Sequence, residues 1–200
     1  MVANSAVAIA NMALSNIGSK STIESLAEKS AEGRQCNIWY NISRVQALEG
    51  HPWGFARKRL ALALDSEAAP EVEWIYRYQY PVDCLKAREI ENPLGPLADA
   101  VPYQIETNSL GVRTILTDSE DAKLIYTFNL QDTTAFSAFF DTTLSYLLAH
   151  YIAFPLTADR TIKLDMIKVY QSLIGSAKGQ DANESVERKP REAEWIRGRA

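Results

Sequence analysis

Apolar residues recur along this chain at two different spacings, and the spacing switches twice. At the start Ala6, Ile9, Ala13 and Ile17 return every three to four residues, which predicts an amphipathic helix. Gly18 stops it, because glycine accepts the left-handed backbone of a C-terminal cap. After the linker SKSTIESLAEKS the helical period resumes near Ser30 and runs to Gly50. Ile38, Ile42 and Val45 form its expected inward face, broadened by Trp39 and Tyr40, and Gly50 and Pro52 end it.

Beyond that breaker the period falls to two, the mark of strands whose side chains alternate between faces. Leu60, Leu62 and Leu64 alternate, and so do Trp74, Tyr76, Tyr78 and Tyr80 against Ile75, Arg77 and Gln79 in EVEWIYRYQYP, a run that Pro81 terminates. CLKAREI, YQIET, GVRTILT and KLIYTF bring the set to about six short strands. NSLG between two of them has the residues of a hairpin turn. No helical pattern of ten or more residues separates these runs, so small antiparallel sheets are expected instead of βαβ units.

The helical period returns at Phe136. Phe136, Phe140, Leu144, Leu147, Tyr151 and Phe154 line one face up to Pro155, and Ile162, Met166, Tyr170, Leu173 and Ala177 line a fourth helix ending near Gly179. Helices this short are not stable alone, so the first two and last two are expected to pack together. The fold class is therefore α+β: a four-helix bundle built from residues 1–51 and 134–179, an inserted antiparallel β domain over 52–133, and a C-terminal extension over 180–200. In that extension dense charge of both signs surrounds a lone Trp195–Ile196 pair, too little to build a core and suited to docking on a partner.

Composition narrows the function. With 46% apolar residues the chain buries a real core, and no run of about eighteen apolar residues offers a membrane span. The N-terminus lacks the basic start and cleavage site of a secretory signal, so synthesis and use in cytoplasm are expected. A net charge of −4 argues against sequence-independent DNA binding, which needs a basic patch on the phosphates.

Candidate chemistry is sparse. Cys36, His51 and Asp83 supply the residue types of a thiol hydrolase, but Cys36 falls inside an apolar helix without a glycine-rich oxyanion loop, and a buried structural thiol is the stronger reading. His150 and His51 are the two histidines and lack H-E-x-x-H or similar spacing, so no metal is expected. Phosphate-binding glycine loops are absent, and no cofactor is expected. The tyrosine stripe could stack bases, yet without a basic groove it reads better as packing on a core or a neighbouring subunit. Among 25 acidic residues nothing singles out a glycosidase pair, which leaves a cell-wall (peptidoglycan) hydrolase as the alternative to a non-enzymatic role.

Several motifs occur in a fixed order: A-L-x-x-I-G at Ala13 to Gly18, C-x-x-x-Y-x-x-x-R at Cys36, Tyr40 and Arg44, then H-P-W-x-F-A at His51 to Ala56. Y-P-x-D-C-L follows at Tyr80 to Leu85, and DANE comes last at Asp181 to Glu184, past the expected end of the fourth helix. In this order they resemble the phage head-to-tail adaptor family, in particular the tail tubular protein A type of short-tailed phages and prophages, over nearly the whole chain to about Glu184.

The resemblance implies a virion structural protein at the head–tail junction, made in the bacterial host cytoplasm. Such adaptors form a homo-oligomeric ring of about twelve subunits beneath the portal protein, extend the DNA channel and give the tail tube or nozzle its platform. It also implies a fold of helical bundle, β domain and C-terminal extension. If each copy carries −4, an acidic lumen repels the genome and lets it slide without specific binding. The helix carrying Arg34 to Arg44 and the helix from Phe136 to Phe154 are the expected subunit contacts, and the free protein is expected to be monomeric until a portal templates the ring. The extension is expected to reach the portal, with Arg188, Lys189, Arg191, Arg197 and Arg199 pairing with acidic groups and Trp195, beside Ile196, filling an apolar pocket. HPWGFA is expected to be the bundle-to-β elbow. There His51 closes the helix against the dipole's negative end, Pro52 breaks it, and Trp53 and Phe55 anchor the joint.

Overall fold

A computed structural model describes residues 5–70, 73–92, 95 and 99–184. The chain is mixed α+β, with helices α1 (Ala6–Asn16), α2 (Ala31–Gly50), α3 (Ala138–Thr157) and α4 (Arg160–Glu184). Between α2 and α3 lie strands β1 (Arg57–Ala61), β2 (Tyr76–Gln79), β3 (Cys84–Ile90), β4 (Gln104–Thr107), β5 (Arg113–Thr117) and β6 (Lys123–Phe128).

Serine hydroxyls start the first three helices. Ser5, Ser30 and Ser137 each accept a hydrogen bond from the amide three residues on, at 3.1, 3.0 and 3.2 Å, satisfying amides that have no partner within the helix. Gly18, at φ +78°, turns the chain out of α1 as expected. The stretch Ala138 to Thr157 contains a single acid, Asp141, and no lysine or arginine, a composition that suits a helix buried on most sides. Accordingly α1, α2 and α4 all pack on α3. Phe140, Leu144, Leu148, Ile152 and Ala153 of α3 lie at the centre of the helical core.

Four expectations for the helices are corrected. The buried stripe of α2 is Cys36, Tyr40, Ser43, Arg44, Ala47 and Leu48, while Ile38 and Ile42 face outward at 55% and 43% exposure and Val45 is half-buried. Second, α3 starts at Ala138, because Phe136 ends a short 3-10 turn over Thr133–Ala135; its ring is still buried in the core. Third, Pro155 lies inside α3. So near the helix end its missing amide costs one bond, and the helix continues to Thr157 before Ala158 (φ +55°) caps it. Toward this end Tyr151 is half-buried and Phe154 exposed, so the expected inward face gives out. Fourth, α4 passes Gly179 and reaches Glu184, which makes 180–184 helical. The remainder of the predicted extension, including Arg188, Lys189, Arg191, Trp195, Ile196, Arg197 and Arg199, lies outside the described residues.

The strands form two three-stranded antiparallel sheets, ordered β1-β6-β3 and β2-β5-β4. NSLG is the hairpin between β4 and β5, with Gly111 at φ +79°. Just past β1 the chain changes sheets. The Leu62 amide bonds to the Ala122 carbonyl beside β6, and Asp65 and Gln79 amides then bond to Arg77 and Ala63 carbonyls along β2, each at 2.8 Å. Tyr78, Cys84, Ala87, Ile90, Ile115, Leu124 and Tyr126 fill a second core there.

The alternation of Leu60, Leu62 and Leu64 does not mark an inner face. Leu62 packs on the core, whereas Leu60 on the edge strand β1 and Leu64, bridged to Tyr78 beside β2 after the chain has changed sheets, are exposed. The charges of β1 cross β6 to β3 or the residues flanking it: Arg57 pairs with Glu89 at 2.9 Å, Lys58 with Asp83 at 2.7 Å, and Arg59 with Glu91 at 3.7 Å. Charge along an edge also deters pairing with a foreign strand. Among the described residues no helix is long and apolar enough to cross a membrane.

Candidate functional site

The chain crosses between helices and sheets twice, outward through HPWGFA and back through Phe128 to Ser137. Both crossings are held by arginines, Arg44 buried and Arg88 half-buried. At the outward crossing α2 ends with His51 in extended backbone, leaving carbonyls with no partner in the helix. Arg88 of β3 supplies the donors: its Nη2 donates to the carbonyls of Leu48 (3.3 Å), Glu49 (3.1 Å) and His51 (3.1 Å), while Nε donates to Thr127 Oγ1 at 2.9 Å. A cation at the negative end of a helix is favoured, and here that cation comes from the sheet. His51 therefore occupies the cap position the sequence predicts, but the charge that closes the helix is Arg88. The imidazole is buried edge-on to Trp53, with ring centres 4.9 Å apart.

Pro52 follows the cap, and Trp53 turns inward. Its indole Nε1 donates to the Ala47 carbonyl at 2.9 Å, one turn back in α2. The ring packs 5.8 Å from Phe55 and 5.1 Å from Phe140, and Phe55 in turn meets Phe136 and Phe140. One aromatic cluster thus joins the elbow to α3, the element on which the other helices pack.

At the return crossing the donor comes from the helices. Arg44, only 3% exposed, donates through Nη1 to the Leu130 carbonyl and through Nη2 to Asn41 Oδ1 and Asn129 Oδ1, both at 2.8 Å. The Asn129 amide donates to the Asp83 carbonyl at 2.8 Å. Asp83 Oδ1 accepts from Tyr126 Oη at 2.9 Å, opposite the Lys58 pair on Oδ2. A continuous polar chain therefore runs from α2 through the returning strand to the turn before β3.

The ionisation states fit a structural role. Burial pulls the guanidinium pKa of Arg44 and of Arg88 below the ordinary value, and neighbouring Tyr40 and Glu49 respectively oppose it. Arginine keeps its charge under such shifts. The Lys58 hydrogen bond holds Asp83 below the usual carboxylate range. Burial pushes Tyr40 up to about 12 and the Cys36 thiol up to about 11.

The residues proposed for chemistry are not brought together. Cys36 and His51 sit at opposite ends of α2, fifteen residues or about 22 Å apart along the helix axis, and Asp83 is engaged in the sheet. His150 Nδ1 lies 2.9 Å from the Lys163 carbonyl and ties α3 to α4. Of the aromatic stripe, Tyr78 is buried, with its hydroxyl donating to Ser119, and Tyr76 and Tyr80 pack on the β core. A groove at the rim of the first sheet is lined by Arg57, Arg59, Glu89 and Glu91, which pair with one another across it. Among the described residues no group of three or more His, Cys, Asp or Glu is placed to hold a metal.

Sequence reasoning missed Arg88. Its one signal is an arginine within the strand CLKAREI at a position flanked by buried Ala87 and exposed charge, which alternation alone does not resolve. No protein-family model matches the chain, and comparison with curated proteins also finds no match.

Proposed function

We propose that this chain is a head-to-tail adaptor: a non-catalytic subunit of a ring beneath a phage portal that extends the DNA channel and offers the tail its platform. One observation carries the reading. Residues of three of the motifs through which the sequence resembles that family, Arg44, His51, Trp53, Phe55 and Asp83, lie at the joint between helices and sheets, where their side chains pack or hydrogen-bond. Motif residues spent on architecture suit a protein that transmits position and load more than one that turns over a substrate.

In this reading the four helices form one bundle, α3 at its centre, and the β part is carried on it at an angle set by Arg44, Arg88 and Trp53. Residues 185–200 hold five basic and three acidic side chains, so the rest of the chain is more acidic than the whole. A basic extension docks on acidic portal groups with Trp195 as its anchor, while an acidic ring lumen keeps the genome sliding. The free subunit is a monomer and closes into a ring of about twelve on the portal template.

Co-sedimentation with the portal ring encoded alongside it tests this. The full chain is expected to pellet with portal and a chain truncated after Glu184 to stay in the supernatant. A full chain that never pellets contradicts the adaptor role. A truncated chain that still pellets moves the docking contact off the extension. Turnover of peptidoglycan fragments by the pure protein would favour the hydrolase instead.

A further inference from the structure

The register of the second sheet turns Tyr78 and Ile115 toward its core and sends Arg77, Thr114 and Glu106 to the opposite face. On that face Arg77 is buried, at 7% exposure. A guanidinium taken out of water needs acceptors and a counter-charge. The acceptors are the Ala68 carbonyl, 3.0 Å from Nε, and Thr114 Oγ1, 3.2 Å from Nη1. The counter-charge is Glu67, whose Oε1 lies 3.7 Å from Nη2.

Asp65 to Ala68 thus form a strap between β2 and the β4–β5 turn. At β2 the Asp65 amide donates to the Arg77 carbonyl at 2.8 Å. At the turn Glu67 Oε2 accepts from the Ser109 amide at 2.8 Å. Asp65 Oδ1 accepts from the Glu67 amide at 3.0 Å and from Asn108 Nδ2 at 3.4 Å. Asn108 in turn shapes the hairpin end, its Oδ1 accepting from the amides of Leu110 (3.1 Å) and Val112 (2.9 Å). One carboxylate therefore reaches both the buried cation of β2 and the turn that carries the exposed side chains of Leu110 and Val112.

We propose that Glu67 is an acid-sensitive latch: charged, it ties strap and turn to β2, and protonated, it releases both while the β2–β5 and β4–β5 ladders stay paired. A protonated carboxyl is a weaker acceptor for Ser109 and offers Arg77 no charge. The other charged groups nearby are accounted for. Asp65 is a like charge on the strap itself, Glu106 of β4 is occupied by Gln104 at 2.9 Å, and Arg113 of β5 lies on the other face of the sheet, over the Tyr80 ring. The hydrogen bonds from Ser109 hold the Glu67 carboxyl below its ordinary value, helped by Arg77 and opposed by Asp65. The latch is complete above the ordinary glutamate value of about 4.3 and opens as pH falls through the lowered one. Release of one turn over an intact core is a local opening, distinct from unfolding.

An NMR titration of the full chain tests this. The Ser109 amide is expected to shift with the same midpoint as the Glu67 carboxyl, while Tyr78 and Ile115 keep native signals through that step. Glu67→Gln retains an oxygen acceptor without the charge. In this variant the Ser109 titration is expected to vanish, and at neutral pH the Ser109, Leu110 and Val112 amides are expected to exchange with deuterium about tenfold faster, with Tyr78 and Ile115 unchanged. Different midpoints for Ser109 and Glu67, a titration that survives in Glu67→Gln, or turn amides that exchange no faster in it overturn the latch. So does loss of the Tyr78 and Ile115 signals together with the turn, which would show acid unfolding the sheet as a whole. None of these outcomes bears on ring assembly, so the adaptor reading stands or falls separately.

Discussion

Arg44 and Arg88 hold one joint from opposite sides. Arg44 reaches from α2 to the strand returning from the sheets at Asn129 and Leu130, and Arg88 reaches from β3 to the carbonyls that end α2. Each part of the fold thus caps a loose backbone end of the other. The cost of burying the Arg44 guanidinium and half-burying that of Arg88 is offset by the seven hydrogen bonds the two make in total, all to oxygen atoms.

Removing Arg44 takes the side-chain donor from the Leu130 carbonyl, and removing Arg88 takes it from the Leu48 carbonyl, while His51 and Glu49 keep the Trp53 amide and Lys86 Nζ. Arg44→Ala is expected to cost about 3 kcal/mol and Arg88→Ala about 2 kcal/mol in urea unfolding. Lysine at either position restores only part, since it lacks the planar fork of donors. Because both clamps serve one joint, the double variant is expected to lose about 0.5–1 kcal/mol less than the sum. Strict additivity would show two independent contacts.

Trp53 is the largest side chain of the elbow and is buried against Phe55 and Phe140. Trp53→Ala is expected to lower stability by about 3–5 kcal/mol. Trp53→Phe keeps the packing and loses the bond to Ala47, for about 1 kcal/mol. Ring assembly is expected to fall with stability. An alanine variant of unchanged melting temperature contradicts the anchor role.

Acid loosens the sheet through Asp83. Its folded pKa is held down by the Lys58 hydrogen bond, so below the ordinary value of about 4 the unfolded chain takes the proton first. The contribution is present above that pH and is lost as pH falls through the lowered value. Asp83→Asn is expected to cost about 1 kcal/mol at neutral pH and to flatten the acid limb of the stability profile. A variant with an unchanged acid limb contradicts this.

The thiols are expected to be inert in the folded protein. Burial pushes Cys36 to about 11 and raises Cys84 as well, so at pH 8 a thiol reagent is expected to modify neither until denaturant is added. Linkage has the opposite sign here. The stabilisation is complete below the ordinary thiol value of about 8.5 and is lost as pH rises toward 11. Rapid labelling of folded Cys36 would reopen the thiol-hydrolase reading.

Punctuation was the legible part of this chain. Gly18, Ser30, Gly50 and NSLG each impose or permit one backbone geometry, and each marks an element boundary where the sequence predicts it. Facing was less legible, for a physical reason. Periodicity assumes that apolar residues point inward, but in α2 the inward stripe includes Ser43 and the joint's Arg44 and leaves Ile38 and Ile42 outside. The same assumption misplaced Leu60 and Leu64, because the chain leaves the first sheet after β1 and Leu64 already lies beside β2 of the second. Pro155 misled because a proline in the last turn costs a single bond. Arg88 could not be found from spacing, since its partners lie about 40 residues away in sequence and meet it only once the sheet is formed.

Electron microscopy of the full chain mixed with its portal tests the adaptor role most directly. The account predicts single subunits in the protein alone and, with portal, a second ring stacked coaxially on the first. Portal rings that remain bare, or stable rings formed by the pure protein without portal, would contradict it.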